Sequence, residues 1–393
     1  MKKTLGILIL LAALLMASPA LAAKKQAVDL ARQCQISTSG NGYGLGRMLE
    51  EDITRYWDSG SDATLTVILP EGKKAQGIMI GFYGNVPALR VVAAGGKVLA
   101  DWEMPFENAW IPFSEPAERF LIQRKTEGDE MLINRLHVLS QGELPDWVQD
   151  WKIMDGPADL MLIATHPDDD ILWFGGLLPT YAGELQRKVQ VVYMVGGLNR
   201  KRKNELLNAL WHCGVTYYPQ IGSLPDMGGK SVASTLSAWG GENAAPTYIV
   251  GMLRKWKPRV VITQDIKGEY GHNHHIVTVQ AVIDAVERLS ADITFAPESA
   301  AQYGVYSPQK LYIHLYPENE IVFDWQQPLR HFGGKTGLEL AKEAFKMHVS
   351  QQNGRHSVKD SGAYDCRRFG LYYSAVGPDE QHNDLFEHVL DTP

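Results

Sequence analysis

The feature that most constrains this chain is a change of pattern at Leu144-Pro145. Beyond it, continuous apolar runs alternate with amphipathic helical stretches. The spacing predicts a strand over Asp159 to Thr165, a helix near Ile171 to Gln186 and a strand over Val189 to Val195. A helix near Lys201 to Cys213, a strand over Val215 to Ile221 and helical text to Trp256 follow. A strand over Arg259 to Thr263 and a helix from His274 to about Leu289 complete the alternation. Fully apolar strands separated by helices build a parallel sheet covered on both faces. The expected class is therefore α/β, a Rossmann-like parallel sheet flanked by helices, over residues 155–393. Ligands of such sheets bind beyond the carboxyl ends of the strands.

Before the change, short alternating runs recur between about Ile36 and Ser140: Leu65 to Leu69, Gly77 to Phe82, Leu89 to Ala93, Arg119 to Gln123 and Leu132 to Leu139. Gly, Pro, Asn and Asp separate them at short intervals, which predicts an all-β sandwich over residues 24–145. The glycines between Gly40 and Gly46 lack dinucleotide-loop spacing and read as a loop.

A length of 393 residues favours two domains over one. The formal charge is −7, and the only dense basic cluster is Arg200 to Lys203, so nucleic acid is excluded as an expected partner. Lys2 and Lys3, the apolar run Leu5 to Met16 and Ala20-Leu21-Ala22 predict a signal peptide over residues 1–22. The run is short for a membrane span, and Ala23-Lys24 stand where a lipoprotein needs Cys. The expectation is an exported protein, periplasmic or secreted, with no stable membrane span once the leader is cleaved. Three cysteines and no CxxC leave any metal to His and carboxylates. Cys213 reads as a buried thiol, and a Cys34–Cys366 bridge stays open.

The first apolar strand ends in His166-Pro167-Asp168-Asp169-Asp170, where three adjacent carboxylates call for a cation to offset their repulsion. The fourth strand leads through Gln264-Asp265 into Gly268-Glu269-Tyr270-Gly271-His272-Asn273-His274-His275 at the same sheet edge. A zinc held by His166, Asp169 and His275 would keep one position open for water, the mark of a catalytic site. Iron or another divalent ion is the alternative. Asp168, beside a ligand but free of the metal, would take the proton from that water. His272 as imidazolium, or Tyr270, could donate to the leaving nitrogen or steady the oxyanion. His274 alone reads as a solvated helix residue.

The stretch from Asp159 to Val277 resembles the PIG-L deacetylase family, through His166-Pro167-Asp168-Asp169 and Gly271 to His275. The resemblance implies a zinc-dependent deacetylase acting on N-acetylglucosamine-containing compounds. It implies His166, Asp169 and His275 as ligands, Asp168 as general base, His272 as acid or oxyanion partner, and Tyr270 as an aid to the tetrahedral intermediate. Arg202, in Arg202-Lys203-Asn204-Glu205, and Asp226, in Pro225-Asp226-Met227, become candidates for substrate contact. Asp170 stands where the family has Glu, and Asn273-His274 where it has Pro-Asp, so a carboxylate that could orient the catalytic His is missing. His274 could replace it as a hydrogen-bond partner or act as an alternative ligand. His348, in a helix resembling one that follows the family's sheet, could approach the pocket or simply end that helix.

The front region resembles a galactose-binding-like sandwich of the discoidin type, through Leu49, Asp52, Thr54, Tyr56, Trp57, Leu65-Thr66-Val67 and Gly77 to Ile80. Such domains contact glycans or pack against a catalytic partner, and packing is the preferred role here. The alternative for the whole chain is an exported glycan-binding protein with a degenerate deacetylase domain. The intact set of Asp168, ligands and His272 speaks against it.

Overall fold

The computed structural model describes residues 25–391 apart from 51, 61, 62, 127, 129 and 130; the expected signal peptide, residues 1–22, lies outside the described residues. Nine strands come first among these: β1 (Gln35–Thr38), β2 (Trp57–Asp58), β3 (Leu65–Ile68), β4 (Ala75–Phe82), β5 (Leu89–Ala93), β6 (Val98–Trp102), β7 (Asn108–Ala117), β8 (Arg119–Arg124) and β9 (Leu132–Ser140). They pair antiparallel into sheets of order β1-β3-β8-β5-β6 and β2-β9-β4-β7. Alternate side chains of β3 (Leu65, Val67) and β4 (Ile78, Ile80) close into one core, as a sandwich requires. Trp57 is fully buried, and its indole N–H donates to the Asn41 carbonyl at 2.7 Å. Strands β1, β2, β6 and β7 were not among the expected runs; β7 carries Pro112 and Pro116 and sits at a sheet edge, where proline is tolerated.

The remainder holds β10 (Leu160–Ala164), β11 (Val189–Val195), β12 (Gln220–Leu224), β13 (Val260–Thr263), β14 (Lys310–His314), β15 (Glu320–Val322) and β16 (Arg368–Ser374) in one sheet of order β12-β11-β10-β13-β14-β16-β15. The strands β12 to β14 in that order run parallel, and β16 joins antiparallel on β14. Helices α1 (Asp169–Leu172), α2 (Arg200–His212), α3 (Val232–Ala238), α4 (Ala244–Trp256), the single turn α5 (Gly268–Gly271), α6 (Asn273–Asp284), α7 (Pro297–Tyr303) and α8 (Gly337–Met347) connect and cover it. Leu160, Leu162 and Ala164 of β10 face one core, and Met161 and Ile163 face the other. That is why the strand reads as a continuous apolar run.

Two expected elements differ. The helix near Ile171 to Gln186 is only α1 followed, after an interruption, by a π-helical turn over Pro179–Glu184. Gly175 adopts φ +52, where a side chain would run into Cys366, and Pro179 lacks a backbone donor. The third expected strand starts at Gln220, not Val215, because the chain at Tyr217 and Tyr218 pairs with the linker at Lys152 instead. Between β12 and α4 the chain forms α3, opened by a reciprocal Ser231–Ser234 cap.

Helix α2 joins the two parts. Asn204 donates to Asn108 at 3.1 Å, Gln149 donates to Asn208 at 2.7 Å, and the Arg200 guanidinium lies 3.8 Å from the centre of the Tyr83 ring. Phe106 and Tyr218 rings meet at 4.8 Å. The front sandwich thus packs on the helix whose first turn carries Arg202. All three cysteines are free: Cys34 lies in the sandwich and Cys366 beneath Gly175, so the bridge left open does not form.

Candidate metal centre

Strand β10 delivers Thr165 and His166 to the sheet edge, and the chain then turns sharply. Asp168 takes φ 101, a left-handed conformation that a non-glycine residue adopts only when its surroundings hold it. The turn folds Asp169 back, so that its Oδ2 accepts the His166 backbone N–H at 2.7 Å. Its Oδ1 accepts the Trp173 indole N–H at 2.8 Å, one helical turn on. Next to β10, β13 delivers Gln264, whose Oε1 accepts the Thr165 backbone N–H at 2.8 Å and binds the two strand ends together. From there Gly268 to His272 lead into α6, which carries His275.

Three donor atoms converge. His166 Nδ1 lies 3.2 Å from Asp169 Oδ2 and 3.2 Å from His275 Nε2, and the last two are 3.3 Å apart. All three residues are buried. Four ligands at zinc bond lengths of about 2.0–2.1 Å sit roughly 3.3–3.4 Å from each other in a tetrahedron, so the triad fits such an ion. Charge points the same way. Burial alone would push Asp169 up, yet the neighbouring His275 and His166 hold its carboxyl well below the usual range. Burial would strip protons from His275, yet Asp169 and Glu269 raise it to about 10. His166 is raised as well, burial being outweighed by its hydrogen bonds to Asp169 and Asp226. The carboxylates that raise these imidazoles would equally attract a divalent cation, which must displace the protons to bind.

Around the triad stand the other expected residues. Asp168 is buried and outside the triad. Burial and the adjacent Asp169 push it up to about 8, against the pull of Arg202. Arg202 donates to the Pro167 carbonyl at 3.1 Å and lies 3.6 Å from Asp168 Oδ1 and 3.8 Å from Asp226 Oδ2. It is not a solvated helix charge. Asp226 faces His166 Nε2 at 3.4 Å, a bond that holds it near 2. Burial and the neighbouring His275 and His166 bring His272 down to about 3, so it is a neutral imidazole rather than the imidazolium expected from the sequence. Its Nδ1 accepts the His274 backbone N–H at 3.2 Å, leaving its proton on Nε2. This backbone donor orients the ring that lacks the family's carboxylate. Tyr270 is half-exposed at the rim, its ring stacked on His356 at 4.9 Å. Burial raises its hydroxyl, which stays a donor.

The reading of His274 changes. His274 is 2% exposed rather than solvated, and its Nδ1 lies 3.2 Å from His166 Nε2. His348 is buried at the end of α8 with neither ring nitrogen hydrogen-bonded, and burial and the nearby Arg202 lower it to about 3. The sequence also contained, without an assigned role, Glu269, whose Oε2 accepts from His275 Nδ1 at 2.6 Å and whose Oε1 faces His314 Nδ1 at 3.3 Å. A carboxylate on the far nitrogen of a ligating imidazole fixes its tautomer and aims the near nitrogen at the ion. The signal for His314 was its place at the carboxyl end of another parallel strand.

Residues 161–286 match the family PIG-L, GlcNAc-PI de-N-acetylase. A 1D-myo-inositol 2-acetamido-2-deoxy-alpha-D-glucopyranoside deacetylase 1 from Catenulispora acidiphila is 28% identical over 205 residues, covering 46% of this chain and 62% of that protein. The chain spans 56% and 59% of the corresponding deacetylases of Streptomyces avermitilis and Frankia alni. Among solved structures, the N,N'-diacetylchitobiose deacetylase from Pyrococcus horikoshii is similar over 51% of this chain and 74% of its own, at 19% identity and a TM-score of 0.39.

Proposed function

We propose, from the premise that residues 161–286 are a PIG-L domain, that this chain hydrolyses the acetamide of an N-acetylated amino sugar with a divalent cation, zinc before iron, on His166, Asp169 and His275. The observation that carries this reading is the triad of donors 3.2–3.3 Å apart with Asp168 beside it and outside it. The 2-acetamido sugars named for the relatives support the substrate class.

A divalent cation bound there supplies Lewis acidity toward water and the acetamide oxygen. Asp168 takes the proton from the attacking water and passes it to the departing amine, so that acetate and a free amino sugar leave. Arg202 holds the Asp168 turn through the Pro167 carbonyl and keeps the carboxylate more acidic than burial alone would. His272, neutral with its proton on Nε2, and the Tyr270 hydroxyl are the donors for the oxyanion. Asp226 and Arg202 at the rim are the sugar contacts. The front sandwich packs against α2 and adds a polar cleft lined by Tyr43, Arg47 and Tyr56 for glycan contact.

The test is an acetate-release screen over N-acetylated saccharides of differing length, with chelator-treated and zinc-reloaded protein. Release is expected on at least one saccharide, lost with chelator and restored by zinc. Undiminished release by metal-free protein would overturn the proposal, as would glycan binding without acetate from any saccharide.

A further inference from the structure

His166 has two ring nitrogens, and each faces its own set of donors. Nδ1 faces the triad described above. On the opposite side, Nε2 lies 3.2 Å from His274 Nδ1 and 3.4 Å from Asp226 Oδ1, and those two atoms are 3.7 Å apart. These separations bracket the edge of about 3.3–3.4 Å that a tetrahedral zinc site has.

The outer set is built rather than incidental. His274 Nε2 sits 2.9 Å from the Met227 carbonyl, an acceptor only, so the ring proton is on Nε2 and Nδ1 presents a bare lone pair. The Trp239 ring packs at 5.3 Å from the His274 ring, and α6 carries the residue in its first turn, so the imidazole is fixed. Asn273 donates to the Gly229 carbonyl at 2.8 Å and pins the loop that carries Met227. The His274 lone pair and the Asp226 carboxylate converge on the one proton of His166 Nε2, which a divalent cation would displace.

We propose that this chain binds a second divalent cation on that face, through His166 Nε2, His274 Nδ1 and Asp226 Oδ1, with His166 bridging the two ions. Bridging requires His166 to give up its remaining ring proton to solvent, so each ion receives one lone pair from the same imidazolate. The donors, two imidazoles and one carboxylate, suit zinc and its borderline neighbours over calcium or magnesium. Asp226 is half-exposed, so the outer ion faces the mouth of the pocket. The inference rests on the inner triad being a cation site, as proposed above.

The experiment is a zinc titration of the chelator-stripped full chain, read by calorimetry and by bound metal per chain after desalting, alongside acetate release. Two equivalents are expected for the intact chain and one for His274→Ala and for Asp226→Ala. Asp226 is half-exposed, so its variant carries the test if His274→Ala does not fold. One equivalent in the intact chain, with acetate release retained, overturns this inference and leaves the deacetylase reading standing. Two equivalents undiminished in both variants overturn it too. No bound zinc at all removes both.

Discussion

Glu269 Oε2 lies 2.6 Å from Nδ1 of His275, and neither side chain has exposed surface. The glutamate adopts φ 54 and ψ −82. A backbone of that kind costs on the order of 1–3 kcal/mol and persists only where surrounding contacts hold it. Here the Asp265 backbone N–H donates to Oε1 at 2.9 Å, and His314 and His275 flank the carboxylate. The strain sits where an imidazole must present one particular nitrogen to the triad.

Replacing Glu269 by Gln keeps the shape and removes the charge. Loss of such an outer partner weakens metal binding about 10–100-fold. Competition against a chromophoric chelator measures it, with circular dichroism showing that the fold is kept. An affinity equal to that of the unaltered chain would remove Glu269 from this role.

In the proposed reaction Asp168 serves turnover and not metal binding. Asp168→Asn leaves all three triad donors in place, so zinc content stays the same. Acetate release falls by about 10²–10⁴-fold, the usual worth of a positioned acid–base group. A variant that loses its zinc as well would place Asp168 among the ligands.

Acid should destabilise the protein through His348. The residue is buried without hydrogen bonds, and burial with the Arg202 charge lowers it to about 3. The unfolded chain binds a proton near the ordinary imidazole value of about 6.5 while the folded chain does not. The contribution is therefore neutral above that value, and stability is lost as pH falls below it. Between pH 6.5 and 5 the loss is about 2 kcal/mol. His348→Met removes it, so the melting temperatures of variant and unaltered chain should diverge in the variant's favour as pH drops from 7 to 5. Parallel pH dependences would show that His348 is protonated in the fold.

Much of the architecture was legible because burial leaves a period in the sequence. β10, β11 and β13 are covered on both faces and read as unbroken apolar runs; β3 and β4 contribute to a sandwich core and read as alternation. β12 was misplaced because its burial is partial, so Val215 looked more like a strand than Gln220 did. The convergence of His166, Asp169 and His275 was legible because the three cluster at two strand ends. Its support was not: Glu269 reaches His275 through a backbone conformation no propensity anticipates, and His314 arrives from a strand about 40 residues further on. His274 was misread because a lone polar residue in the first turn of a helix gives no sign that Trp239 and Met227 will bury it.

Arg202 offers the sharpest test of how the site is tuned. Its guanidinium lies 3.6 Å from Asp168 and is the leading influence lowering that carboxyl, while burial and Asp169 raise it. A cation on Asp169 lowers it further, so in the metal-loaded protein Asp168 ionises below the value of about 8 that it has without one. The base must be ionised to accept a proton, so acetate release falls on the acid side of that ionisation. Arg202→Met removes a favourable charge while keeping the aliphatic stem. Asp168 then ionises at higher pH, and the acid limb of kcat/KM moves up the pH axis. Loss of the substrate contact alone would lower kcat/KM equally at every pH. A limb that stays in place while the whole profile drops would assign Arg202 to sugar binding and leave Asp168 to be tuned by its own burial.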